Sequence, residues 1–106
     1  MDYDIKKGHA SLLEGDGLRG ILEEVFGSVK EKEGLLVTSY GALSSIEAKL
    51  LSKNTLMVNT TSNPDVDDNI ASETIRRYNT FLERATGFNS KQRRDRLQKK
   101  AKDGKL

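Results

Sequence analysis

Apolar residues recur along this chain in two periods, and the period changes mark the elements. Leu18, Ile21, Leu22, Val25 and Phe26 fall at i, i+3, i+4, i+7 and i+8, one stripe of an α-helix. Asp16 stands where an N-cap belongs and Gly27 where a helix stops, so the spacing predicts a helix over 17–26. Leu35 to Tyr40 then reads as a strand ended by Gly41. Ile46, Ala48 and Leu50 alternate with polar neighbours, as do Leu56, Val58 and Thr60 with Met57 and Asn59. Both runs predict strands, and the first has one wet face. The short Ser52–Thr55 link predicts an antiparallel hairpin, with Asn54 able to take a positive φ. Thr60 to Pro64 ends the sheet.

The helical period returns with Ala71, Ile75, Tyr78, Leu82 and Ala85, predicting a long helix over about 65–86. Pro64 sits near its start, and Asp65, Asp67 and Asp68 suit the positive end of its dipole. Gly87 is placed for a left-handed C-cap, with Phe88 as its hydrophobic contact. Residues 2–7 fit a short strand that Gly8 ends, and a further helix can restart at Asn89 or Ser90. From there on only Leu97, Ala101 and Leu106 are apolar, too few to hold a helix on a core.

The order (β)αβββα predicts an α+β two-layer sandwich, an antiparallel sheet of three or four strands covered on one face by two helices. The domain spans 1–88, and 89–106 is a basic C-terminal arm, helical or disordered. At 106 residues the chain is one domain at most. So small a domain leaves little room for a deep catalytic cleft.

Charge divides the chain where the apolar pattern fades. Residues 91–106 carry eight basic and two acidic side chains, a net of +6. Residues 1–90 carry ten basic and fourteen acidic ones, a net of −4. The total of +2 hides an acidic body with a basic arm, a split that points to a polyanionic partner. In a helix, Arg93, Arg96 and Lys100 share one face, with Lys99 and Lys102 close by. Such a row can track a phosphate backbone and gain affinity from released counterions. Six contacts on duplex DNA would give a salt slope near about −5. No aromatic interrupts the basic run, so the arm alone reads backbone and shape rather than sequence. On the long helix, Arg76, Arg77 and Arg84 can extend the surface together with Lys49, or serve as ordinary surface charges, Arg77 paired with Glu73.

Other chemistry is thin. There is no Cys, which removes disulfides, thiolate catalysis and thiolate metal sites and fits an intracellular setting. The Met1–Lys7 start lacks the apolar core of a signal peptide, and no apolar run approaches the roughly 18 residues of a membrane span. The expected location is the cytoplasm. Gly15-Asp16-Gly17-Leu18-Arg19-Gly20 matches G-x-G-x-x-G, but Asp16 would oppose a phosphate and no parallel βαβ unit follows. A flexible glycine loop with an Asp cap accounts for it. His9, the single histidine, has no orienting partner nearby in sequence and reads as a solvated loop residue. Asn63, Asp65, Asp67 and Asp68 lack the Gly and Glu of a calcium loop and read as helix-start acids.

Short strings run through nearly the whole length: Glu14-Gly15-Asp16-Gly17-Leu18, Ser39-Tyr40-Gly41, Asn63-Pro64-Asp65-Val66, Thr74 to Asn79, and Ala85-Thr86-Gly87-Phe88 leading into Lys91, Arg93 and Arg94. In these the chain resembles a small archaeal family of unknown function, found mainly in methanogens. The resemblance implies an archaeal cytoplasmic protein and carries no functional residues with it.

The expectation is a non-enzymatic binding module, with no catalytic residues, cofactor or metal. Lys91, Arg93, Arg94, Arg96, Lys99, Lys100 and Lys102, with Arg76, Arg77 and Arg84, would contact RNA, the ribosome or DNA. The alternative is a protein-interaction or self-assembly domain whose arm docks on an acidic surface, such as the −4 body of a second copy. No membrane contact is expected.

Overall fold

The alternation in the middle of the chain does build an antiparallel sheet. A computed structural model describes residues 1–102 and the side chains of residues 1–99. It contains β1 (Asp2–Asp4), a 3₁₀ turn (His9–Leu12), α1 (Gly17–Phe26), β2 (Lys30–Lys32), β3 (Leu35–Tyr40), β4 (Leu43–Ser52), β5 (Thr55–Ser62), α2 (Asp68–Thr86) and α3 (Ser90–Lys102). The five strands lie in the order β1-β5-β4-β3-β2, every pair antiparallel. Leu36 faces Ala48 and Ala48 faces Val58 across the ladder, while Leu50 faces Leu56. This row and Ile46 form the sheet side of the core, and Leu22, Phe26, Phe81, Leu82 and Ala85 close it from the helices. Phe26 links the two layers, its ring centroid 5.6 Å from Phe81 and 5.7 Å from Tyr40.

The α+β class holds, but the sheet has five strands where three or four were expected; α1 and α2 are the two expected covering helices, and α3 takes the helical one of the two forms open to the arm. The strand without a sequence signal is β2. Lys30, Glu31 and Lys32 are all exposed and show no apolar alternation. What makes the hairpin is its turn: Glu33 (φ 53°) and Gly34 (φ 83°) are both left-handed, the backbone that a two-residue hairpin loop requires. A short, charged strand at a sheet edge also resists pairing with another chain.

Three local expectations shift. Among the described residues Glu33 is the one non-glycine with positive φ, so Asn54 does not adopt it. The β4–β5 hairpin turns with ordinary backbone angles and a register shift between Leu50 and Ser52, and Ser52 Oγ accepts from the Asn54 amide at 3.2 Å. The second helix begins at Asp68 rather than near 65, because the Asp67 carboxylate caps it by accepting from Ile70 N at 2.8 Å. The buried face of α2 is also rotated. Ile75 is 63% exposed, and Thr74 turns inward in its place. Thr74 Oγ1 accepts from Ala42 N at 2.9 Å and donates to Ile70 O at 2.7 Å, fastening α2 to the β3–β4 turn. Gly41 makes that approach possible: a Cβ there would lie 2.2 Å from Thr74 Oγ1.

The segment between β1 and α1 straps the C-terminal end of α2. Lys6 N donates to Thr86 O at 2.8 Å, and His9 Nε2 donates to Arg84 O at 2.7 Å. Those are carbonyls that the last turn of a helix cannot satisfy internally. His9 is thus half-buried and bonded, not a free loop residue. Among the described residues, no helix is long and apolar enough to cross a membrane.

Candidate nucleic-acid interface

The basic arm is a helix with a defined start and a defined inner side. Gly87 takes φ 81° and its N–H returns to Glu83 O at 2.9 Å, closing α2. Two residues on, Asn89 and Gln92 form a reciprocal capping box: Gln92 N donates to Asn89 Oδ1 and Asn89 N to Gln92 Oε1, both at 2.9 Å. Polar contacts then hold α3 against the body where apolar area is scarce. Arg93 Nη1 donates to Phe88 O at 2.6 Å, and Nη2 donates to Asn79 Oδ1 at 3.1 Å and Ser90 Oγ at 3.3 Å. Burial pulls the Arg93 guanidinium below its ordinary range, opposed by Tyr3, Glu83 and Tyr78. Beneath it the Tyr3 and Tyr78 hydroxyls meet at 3.3 Å. Burial, then the contact with Tyr3, pushes the Tyr78 phenol well above its ordinary value. Arg96 Nε donates to Asp4 Oδ2 at 3.1 Å, and its guanidinium lies 4.5 Å over the Phe88 ring.

These contacts divide the ten basic residues named from the sequence. Arg93 and Arg96 face the body and are engaged within the chain. Arg84 is paired with Glu24, and Arg77 with Glu73 at 4.0 Å while lying over the Tyr40 ring. Lys49 lines a shallow cleft beside Gly15 and Leu18 instead of joining them. Lys91, Arg94 and Lys99 are exposed on α3, and Arg76 is exposed on α2. None of these four makes an ion pair among the described residues. The side chains of Lys100 and Lys102 lie outside the described ones. Arg93 and Arg96 share a helix face as their spacing requires, and that face is the docked one.

Docking α3 beside β1 leaves an open recess of about 200 Å³. Tyr3, Phe88 and Leu97, all half-buried, give it apolar walls, and Asp2, Asp4, Arg93, Arg94 and Arg96 contribute charge. The sequence held no sign of this recess. Tyr3 and Phe88 are eighty-five positions apart and come together only in the folded chain.

The remaining motifs serve the fold. Asp16 precedes α1 but its carboxylate accepts no capping bond. Gly17 is required by close packing, since a Cβ there would lie 1.8 Å from Leu12 O. The cleft beside Gly15 is rimmed by Glu14 and Glu31, carboxylates that would repel a phosphate. In the acidic run Asp67 caps α2, Asp68 lies in its first turn, and Asn63 Oδ1 accepts from Asp65 N at 3.0 Å. Among the described residues no group of three His, Asp or Glu side chains is placed to hold a metal ion.

The profile of DUF5611, a domain of unknown function, matches residues 1–99. The chain belongs to this family. The match takes in β1 through residue 99 of α3, and so covers Arg93 and Arg96, which hold α3 to the body. A solution structure determined by NMR, of the hypothetical protein TA0095 from Thermoplasma acidophilum, has a similar fold. The two are 32% identical with a TM-score of 0.61, over 91% of this chain and 95% of that one. Its archaeal source agrees with the archaeal family of unknown function that the short sequence strings resemble. A search of curated proteins gives no match.

Proposed function

We propose that this DUF5611 domain is a non-enzymatic module that binds the phosphate backbone of a nucleic acid through the outward face of α3. The observation that carries the reading is the division of labour along α3. Arg93 and Arg96 are spent on holding the helix, while Lys91 and Arg94, one turn apart, and Lys99 beyond them stay exposed and unpaired among the described residues. Arg76 on α2 adds a fourth exposed cation. A helix fixed at its inner side presents these charges in a set geometry, so less side-chain and backbone entropy is lost on binding than with a loose tail. Arg77 and Arg84, paired with Glu73 and Glu24, are left out of the contact surface, and the cytoplasm remains the expected setting.

The test neutralises charge without removing the helix. Deleting residues 89–106 would also strip the contacts to Asn79 and Asp4, so loss of binding there would be ambiguous. The triple substitution Lys91→Gln, Arg94→Gln, Lys99→Gln keeps Arg93, Arg96 and Leu97 in place. Retention of labelled single-stranded and duplex oligonucleotides at low salt should fall at least tenfold in the triple variant. Unchanged retention refutes the reading. If the full chain retains no oligonucleotide but its mass in light scattering grows with concentration and shrinks with salt, the arm docks on a second copy instead.

A further inference from the structure

The recess between β1 and α3 has a composition that a phosphate-binding surface does not need. A backbone-tracking helix requires cations alone, yet here Tyr3, Phe88 and Leu97 are held half-open beside Arg94. The Arg96 guanidinium already covers the Phe88 ring at 4.5 Å, and a guanidinium plane of this kind is itself a platform on which a further π-face can stack. Asp2 at the rim is an acceptor with no cation partner among the described residues, the group type that pairs with the amino and ring N–H edges of a base. Its volume of about 200 Å³ lies below the roughly 300–1,000 Å³ of pockets that enclose a whole small ligand. The space suits one flat unit of a larger chain.

We infer that this recess receives a single unpaired base of single-stranded nucleic acid, with the phosphates flanking that base held by Arg94 and Lys91. The inference rests on the reading of the outer α3 face as a phosphate-binding surface and adds selection to it. Duplexes keep their bases stacked inside and cannot enter, so the recess favours single strands, loops or ends. The base sits between the Leu97 side of α3 and Tyr3 of β1, stacked on the flat layer formed by Phe88 and Arg96. This supplies the aromatic contact that the arm's own sequence lacks.

The experiment compares, by fluorescence anisotropy at one fixed low salt, the full chain binding a 12-nucleotide single strand and an abasic strand of equal length and charge. The strand with bases should bind about tenfold more tightly, as expected for one stacked base. Phe88→Leu, which removes the ring of the stacking layer without changing charge, should bring that strand close to the abasic level and leave abasic binding as it was. In the unsubstituted protein, the ring protons of Phe88 and Tyr3 should shift with the base-bearing strand and stay put with the abasic one. Ribose and deoxyribose versions of the strand identify which nucleic acid is preferred. Equal affinities with unmoved ring protons overturn the base site and leave the phosphate surface standing. Failure of both strands to bind overturns the phosphate surface itself.

Discussion

Arg96 and Asp4 meet at 3.1 Å across ninety-two residues of chain, joining the last helix to the first strand. The pair is half open to solvent, with side-chain exposures of 50% and 23%, so its direct contribution is about 0–1 kcal/mol. Its importance lies in position. With the Arg93 network it is what keeps a helix of very low apolar content against the sheet edge. Arg96→Gln should therefore shift the melting temperature little yet raise hydrogen-exchange rates across the α3 amides selectively. Equal protection of α3 in both proteins would show that the pair does not hold the helix.

Arg93 should matter more. Arg93→Ala leaves Asn79 Oδ1 and Phe88 O without the donors that reach them at 3.1 and 2.6 Å, a loss of about 1–3 kcal/mol in a partly buried site. Urea unfolding should give a larger destabilisation for Arg93→Ala than for Arg96→Gln. The reverse order would contradict the assigned roles.

The clamp between α2 and the β3–β4 turn makes a separate prediction. Thr74→Val conserves shape but removes the acceptor for Ala42 N, and it should destabilise by about 1–3 kcal/mol. Gly41→Ala should also destabilise, because its Cβ would fall 2.2 Å from Thr74 Oγ1 at a φ of 51°. A double substitution measures whether the two losses share one cause, since residues in contact depart from additivity. Fully additive losses would argue against a shared contact.

Alkaline stability reports on the burial of Tyr78 and, after it, on the contact with Tyr3. The folded-state pKa of Tyr78 is raised, so above the ordinary tyrosine value of about 10 the unfolded chain loses this proton first. The contribution of this group to stability is then constant below pH 10 and falls as pH rises beyond it. Tyr78→Phe should flatten the decline above pH 10 in chemical denaturation, even if it lowers stability at neutral pH. A decline of the same steepness would place its origin elsewhere.

The parts of the fold that were legible in the sequence are those where apolar residues carry the signal. Leu18, Leu22, Val25 and Phe26 are buried along α1 as their spacing requires, and Ile46, Ala48, Leu56 and Val58 face inward as their alternation requires. Where polar atoms decide, the pattern fails. Thr74 displaces Ile75 from the buried face of α2 through two hydrogen bonds that hydropathy does not weigh. Lys30–Lys32 forms a strand because of the Glu33–Gly34 turn. The arm was visible as charge, but its inner and outer sides were not. Arg93 and Arg94 are adjacent and chemically alike, and only their surroundings tell them apart: Arg93 is half-buried and bonded to Asn79, while Arg94 is exposed.

That difference gives the most direct measurement. Binding of a duplex oligonucleotide should be followed against salt concentration for the full chain and for the Lys91→Gln, Arg94→Gln, Lys99→Gln variant. Each phosphate contact contributes about −0.9 to the slope of log K against log salt. The account predicts a slope shallower by roughly 2–3 in the variant, with melting temperature unchanged because none of the three residues makes an ion pair among the described residues. An unaltered slope, or a full chain with no salt-dependent binding at all, would contradict it.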